Sequence, residues 1–380
     1  MLLQACEIDS IARAAIAIGA LDKNCQQGED YRPTYLNQSG TKMTSHHRAA
    51  VQQYAKAINI MKKDVAEGKQ DLRTTLLTSL VIIVFESFHG NYMLADRQVH
   101  TAVELVRNWR SKYPNSKNHP MGFSSPAPDV LEDGLVQLFG RLETHTVSFK
   151  DKREPTVHLW HREERTEIFQ AMPEVFQDIP QARKYLGLIT RRARHWGYSF
   201  GVETSPEPHY QACLEETPVL DTSPSCDRSV YLPLLLGPFD VLNTEKLESQ
   251  QQMHLGEFSN WYSSFEPLLQ LNPHLENNVG ACVLKLVSKS VHTALLTALA
   301  NDAQTLEDLT PQMEEIITYS KTVFALLHEK ADENVSQFSF DHTPMLPLYF
   351  VGMMCRDPEI RRRAMSLLYS HPRGGEAGDG

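Results

Sequence analysis

The sequence predicts an all-α protein of antiparallel helical hairpins with one long irregular insertion. Three observations carry this. Apolar residues recur at three- and four-residue spacing over most of the 380 residues. Strand-like alternation is sustained nowhere in the sequence. The breaks between periodic stretches hold Gly and Pro, and the longest break, 198–243, is rich in Pro, Ser, Thr, Asp and Glu.

The first helix places Ile11, Ala14, Ala15, Ile18 and Leu21 on one face, with Asp9 or Ser10 as its cap. A polar loop follows over 24–42 with Gly28, Pro33 and Gly40. From Ser45 a long helix keeps Val51, Tyr54, Ala55, Ile58, Met61 and Val65 in helical register and ends at Gly68. The next helix, 71–88, carries Leu76, Leu77 and the run from Leu80 to Phe85, which leaves almost no polar face and predicts a central core position. Its β-branched residues also suit a strand. Helix is preferred because Thr74 to Phe88 is too long for an average buried strand and no turn signal interrupts it.

After Phe88-His-Gly90-Asn-Tyr92 comes a helix with Val99, Ala102, Val103, Val106 and Trp109 inward. This turn, with an aromatic and a small residue at that spacing, resembles the hinge of a tetratricopeptide-like hairpin, and no second copy follows at a fixed period. Residues 110–128 hold four prolines and read as a loop before a helix over 129–145. The chain is charged and irregular over 150–160, and a helix pair is expected over 161–177 and 180–197, divided by Pro180. Beyond 198–243, read as a mobile segment or linker, helices are expected over 244–271, 275–300 and from Thr310-Pro311 to 330. The first of these carries Met253, Phe258, Trp261, Tyr262, Phe265 and Leu269. The segments are therefore an N-terminal helical part (1–197), a linker (198–243), a C-terminal helical part (244–372) and a disordered tail (373–380).

The composition, 41% hydrophobic and 22% charged, is that of a globular protein able to bury a large core without staples. A net charge of −10 argues against nucleic-acid binding through bulk electrostatics, because phosphate neutralisation needs Lys and Arg, and leaves room only for local basic patches. The six cysteines, at 6, 25, 213, 226, 282 and 355, form no Cys-x-x-Cys pair, which points to a reducing, intracellular setting. The N-terminal residues lack the basic region of a signal peptide. The longest dense apolar run, Leu76 to Phe85, is about half the roughly 20 residues of a membrane span. A soluble protein with no membrane partner is expected.

The C-terminal forty residues contain a short apolar helix running into Cys355-Arg-Asp-Pro358. A second helix then begins with Pro358 in its first turn and Asp357 as its cap, and Pro372 stops it. Ile360, Ala364, Leu367 and Leu368 share one face of that helix. This pair, with Cys355-Arg-Asp-Pro-Glu-Ile-Arg-Arg-Arg-Ala-Met-Ser-Leu-Leu, resembles the end of the fungal-specific transcription factor domain. That domain is the regulatory region downstream of the zinc binuclear cluster in filamentous-fungal activators. The stretch from Tyr54 through Thr75 to Trp109, including Phe85-Glu-Ser-Phe-His-Gly-Asn-Tyr92, resembles the same domain. The likeness extends over about 5–375, and the end Arg373-Gly-Gly-Glu-Ala-Gly-Asp-Gly380 departs from the family's usual aromatic and acidic tail.

The resemblance implies a non-catalytic transcriptional regulator in the nucleus, with shuttling to the cytoplasm, controlling for example a secondary-metabolite gene cluster. Its partners would be a second copy, a co-regulator or the transcription machinery, with a small-molecule effector held between helices. The zinc cluster itself is missing from this sequence, since tetrahedral thiolate sites need close ligand spacing that none of the cysteines has. No direct DNA contact by this chain is therefore expected. A helical partner-binding scaffold with no DNA role is the first alternative, and an enzyme on the same fold the second.

No catalytic, cofactor-binding or metal-ligating residue is assigned. His158-Leu-Trp-His161-Arg-Glu-Glu164 offers ligands at i, i+3 and i+6, but Arg162 and Arg165 crowd the place and a charged helix start is the preferred reading. His46-His47 is expected to cap a helix or face solvent. Glu163-Glu164, Glu215-Glu216 and Glu314-Glu315 are expected to be solvated. Arg191-Arg192-Ala-Arg194-His195-Trp196 reads as the cationic end of a helix, with nuclear import or nucleic-acid contact as the lesser reading. Arg361-Arg362-Arg363 is expected to pair with neighbouring acids or cover apolar surface. Trp261, Tyr262 and Phe265 are expected in core packing rather than around a pocket.

Overall fold

The computed structural model describes residues 7–26, 45–89, 91–115, 118–120, 122–147, 158, 162, 167–204, 244–300, 303–331 and 344–371. Of the described residues 81% are helical and none lies in a strand, so the fold is all-α. The chain forms two compact units, residues 1–143 with 371–380, and residues 144–370.

In unit 1, α1 (Asp9–Gln26), α2 (Ser45–Ala66) and α3 (Leu72–Phe88) pack on one another, and α3 packs on α4 (Tyr92–Arg110). α2 stops in the expected place. Gly68 takes φ +66°, and the N–H groups of Gly68 and Lys69 reach back to the carbonyls of Val65 and Asp64 at 3.1 and 2.9 Å, a glycine-closed helix end. Asp71 then starts α3 by accepting from the Thr74 N–H at 2.7 Å. α3 is a helix buried on nearly every side, as its missing polar face requires. The inward face of α2 differs from the expected stripe. His47, Ala50 and Ala57 are buried while Ala55 and Val65 are exposed, because small residues let α2 approach α1 closely and Tyr54 stacks on Phe85 at 3.8 Å.

Val99, Ala102, Val103, Val106 and Trp109 line the buried face of α4 as expected. The loop after α4 is pinned rather than loose. Arg110 donates to the His119 carbonyl, and Asp133, at the start of α5 (Asp133–Val147), accepts from the Ser125 N–H at 2.7 Å. Arg73 of α3 grips Glu132 with a two-pronged ion pair at 2.9 Å.

In unit 2 the expected helix over 161–177 is corrected. Among the described residues there Arg162 is helical and α6 (Glu167–Gln170) follows, but the helix stops at Gln170 and a turn and bends occupy 171–178, because Pro173 cannot continue a helix. Asp178 caps α7 (Ile179–Thr204) by accepting from Gln181 N–H at 2.7 Å, with Pro180 in the first turn. α8 (Thr244–Leu271) and α9 (Val279–Ala298) pack on α7 and on each other. α7 and α8, on either side of the linker region, thus share one unit, while residues 205–243 and the tail 373–380 lie outside the described residues. α9 is long and apolar enough to cross a membrane by length and composition, and here it packs against α7, α8, α11 and α12.

α10 (Ala303–Asp308), α11 (Thr310–Ala331), α12 (Met345–Met354) and α13 (Pro358–Ser370) complete the unit. Their core joins Cys282 and Leu286 of α9 to Met313, Ile316 and Ile317 of α11 and to Leu348, Val351, Cys355, Ile360 and Ala364. The closing hairpin forms as its sequence predicts. Asp357 accepts from Glu359 N–H and Ile360 N–H at 2.8 and 3.1 Å, Ile360 and Ala364 are buried, and Leu367 and Leu368 pack on the same core. Asp357→Ala is expected to cost about 1 kcal/mol, the usual worth of an N-cap. A shift in the urea midpoint with unchanged slope checks this, and an unmoved midpoint refutes the cap.

Candidate functional site

α8 turns a regular face inward: Leu247, Gln251, His254, Phe258, Trp261, Phe265 and Leu268 repeat at four- and three-residue steps and are all buried. Met253, expected on this face, is exposed. Polar side chains thus occupy two inward positions, 251 and 254, and Glu257 lies buried beside them.

Their partners lie largely on α7. The basic stretch read as a helix end is in fact helix interior, because α7 runs on to Thr204. Arg191 and Arg192 are each 1% exposed, so the end-capping role is withdrawn and neither guanidinium presents a surface patch. Arg192 Nη1 lies 2.7 Å from Glu257 Oε1, and Arg192 Nε donates to the Arg162 carbonyl at 3.1 Å. The Arg192 guanidinium also sits over the Phe169 ring, 4.8 Å from its centre. Glu257 Oε2 lies 3.3 Å from His254 Nδ1. One carboxylate therefore bridges an arginine of α7 and a histidine of α8.

Trp196 Nε1 donates to Gln250 Oε1 at 2.9 Å, and its ring lies 5.5 Å from that of His254. Gln251 Nε2 donates to the Leu295 carbonyl of α9 at 2.6 Å. His158 meets His195 of α7 through their Nδ1 atoms at 3.0 Å, both side chains buried. A hydrogen bond between two such nitrogens requires opposite tautomers, one ring protonated at Nδ1 and the other at Nε2.

A carboxylate only accepts, so His254 donates from Nδ1 to Glu257 and its Nε2 carries the lone pair. That nitrogen has no hydrogen-bond partner among the described residues. Burial holds the His254 imidazole below its usual range, the Arg192 and Arg162 guanidiniums act in the same direction, and Glu257 opposes them. The arrangement cross-braces two helices with a desolvated ion pair and a neutral histidine. It contains no nucleophile aligned with a base, and no group of three metal-ligating side chains occurs among the described residues.

Of the residues singled out in the sequence, His158, Arg162 and the 191–196 stretch enter this network; His161, Glu163, Glu164, Glu215 and Glu216 lie outside the described residues. His47 is buried and stacks on His89 at 5.2 Å, which corrects its reading as a cap or solvent-facing group. Glu314 and Glu315 pair with Arg363 and Lys289, and Arg362 pairs with Glu359, as expected of the basic run. Trp261 and Phe265 are core residues stacked at 4.5 Å, and the Tyr262 hydroxyl lies 2.8 Å from that of Ser288. Gln251, His254 and Glu257 escaped sequence reading. Their signal was the inward period of α8, which continues through them although they are polar.

Fold and site together define a helical protein whose best-formed polar feature is a buried ion-pair and histidine network between two helices. No family model, curated protein or solved structure matches the chain.

Proposed function

We propose that this chain is the effector part of a fungal transcriptional regulator, resembling the regulatory domain of the zinc binuclear cluster class and acting in the nucleus through protein contacts. The carrying observation is the closing segment 345–370. The residues that bear the resemblance, Cys355, Asp357, Ile360 and Ala364, serve as core and cap of one helical hairpin. They are packing residues, which suits a domain that works by shape and contact. The α3–α4 and α12–α13 hairpins support a tetratricopeptide-like packing in this reading. A second copy of the chain, a co-regulator or the transcription machinery is the partner, with a small-molecule effector as a further ligand class and a secondary-metabolite gene cluster as a suitable target.

The 5′ end of the native transcript tests this reading. An in-frame upstream extension encoding a six-cysteine cluster makes the chain the regulatory half of a DNA-binding activator. Deletion of the gene should then change a defined set of transcripts, whereas an unchanged transcriptome favours a partner-binding scaffold with no DNA role.

An enzyme on the same fold is the second reading, favoured by one observation: His158 converges with His195, and the same stretch of α7 meets a distant acid, Glu257. Against it, every one of these side chains is enclosed and engaged in bracing.

A further inference from the structure

The seam between α7 and α8 holds a histidine where a further positive charge has no outlet. His254 is fully buried. The charged groups acting on it are Glu257 from its own helix, Arg192 from α7 and Arg162 from the segment before α6. α9, also packed on α8, contributes the Leu295 carbonyl to Gln251, while its His292 lies edge-on against Phe258. Glu257 is already held by Arg192 at 2.7 Å.

We propose that His254 with the Arg192–Glu257 pair forms an acid-sensitive latch that holds α7 against α8 at neutral pH and releases it on mild acidification.

A proton added to His254 goes to Nε2, since Nδ1 already donates to Glu257. It creates a buried charged N–H with no acceptor among the described residues and places a second cation beside Arg192. Separating α7 from α8 brings water to all of these groups at once.

The sign follows from proton counting. His254 is neutral when closed and titrates near the ordinary value of about 6.5 when open. Below that value the open state binds more protons, so closure is fully favoured above about pH 6.5 and weakens as the pH falls. One excluded proton changes the opening equilibrium about tenfold between pH 7.5 and 5.5.

Hydrogen exchange on the full chain at these two pH values, corrected for intrinsic exchange, tests the latch. Opening constants for amides of 188–196 and 250–258 should rise at least about tenfold at pH 5.5, and those of α11 should rise less. His254→Asn keeps an amide N–H for Glu257 without a titrating ring, and should remove about tenfold of that response. His292→Asn, whose ring is also held low by burial and by Lys289, should leave the α7–α8 response in place. An equal response in His254→Asn and the natural chain overturns the proposal, as does no response in the natural chain. If His254→Asn does not fold, the ring resonances of His254 in the natural chain decide. They should stay those of a neutral imidazole in the closed state at pH 5.5, and a midpoint near 6.5 in that state overturns the latch.

Discussion

Glu257→Leu is expected to destabilise unit 2 by about 3–5 kcal/mol. The substitution removes the carboxylate that lies 2.7 Å from Arg192 Nη1, whose residue is 1% exposed. It also takes away the acceptor of His254 Nδ1. The cost comes from removing one member of a buried pair, which is more damaging than replacing both. A double change, Arg192→Met with Glu257→Leu, should therefore recover much of the loss by replacing the pair with apolar side chains. Urea unfolding followed through Trp196, whose ring lies 5.5 Å from that of His254, reads both variants. A Glu257→Leu protein as stable as the natural one would mean that the pair is open to water.

Trp261→Ala is expected to cost about 3–5 kcal/mol through the cavity it leaves. The indole is fully buried, stacks on Phe265 at 4.5 Å and lies 6.2 Å from Phe176. Its Nε1 donates to the Ala182 carbonyl of α7 at 2.9 Å, so removal also leaves that carbonyl without this donor. Trp261→Phe separates the two contributions. It keeps most of the packing and forfeits the hydrogen bond, with an expected cost of about 1–3 kcal/mol. Equal losses in the two variants would show that packing around the indole contributes little. Further along α8, Pro267 supplies no N–H to the Ser263 carbonyl, and the Phe176 N–H donates to the neighbouring Ser264 carbonyl at 3.1 Å. The region of Trp261 is thus fixed from several directions, and the full cavity cost is expected.

Much of the fold was legible because local chemistry and tertiary packing agree. Gly68 and Asp357 mark helix ends through their own backbone or side-chain preferences, and the structure uses each in that way. The long apolar run of α3 announced its central position. The reading failed where packing overrode residue type. Pro173 lies inside a span whose other residues suit a helix, and it ends α6 early. α2 buries alanines and His47 where larger apolar residues lay one step round the helix. The network of Glu257, His254 and Arg192 was the least legible part. Composition marks such residues as surface groups, and only their pairing across α7 and α8 makes burial tolerable. Arg191 and Arg192 were misread for a related reason: the end of α7 was placed seven residues too early, which turned helix interior into terminus.

The most direct test of the proposed role is to tether this chain to an unrelated DNA-binding domain in a filamentous fungus and measure a reporter downstream of that domain's site. The account predicts nuclear accumulation and a change in reporter transcription that Glu257→Leu, by loosening unit 2, diminishes. A folded, nuclear fusion that leaves the reporter unmoved in either direction would contradict it.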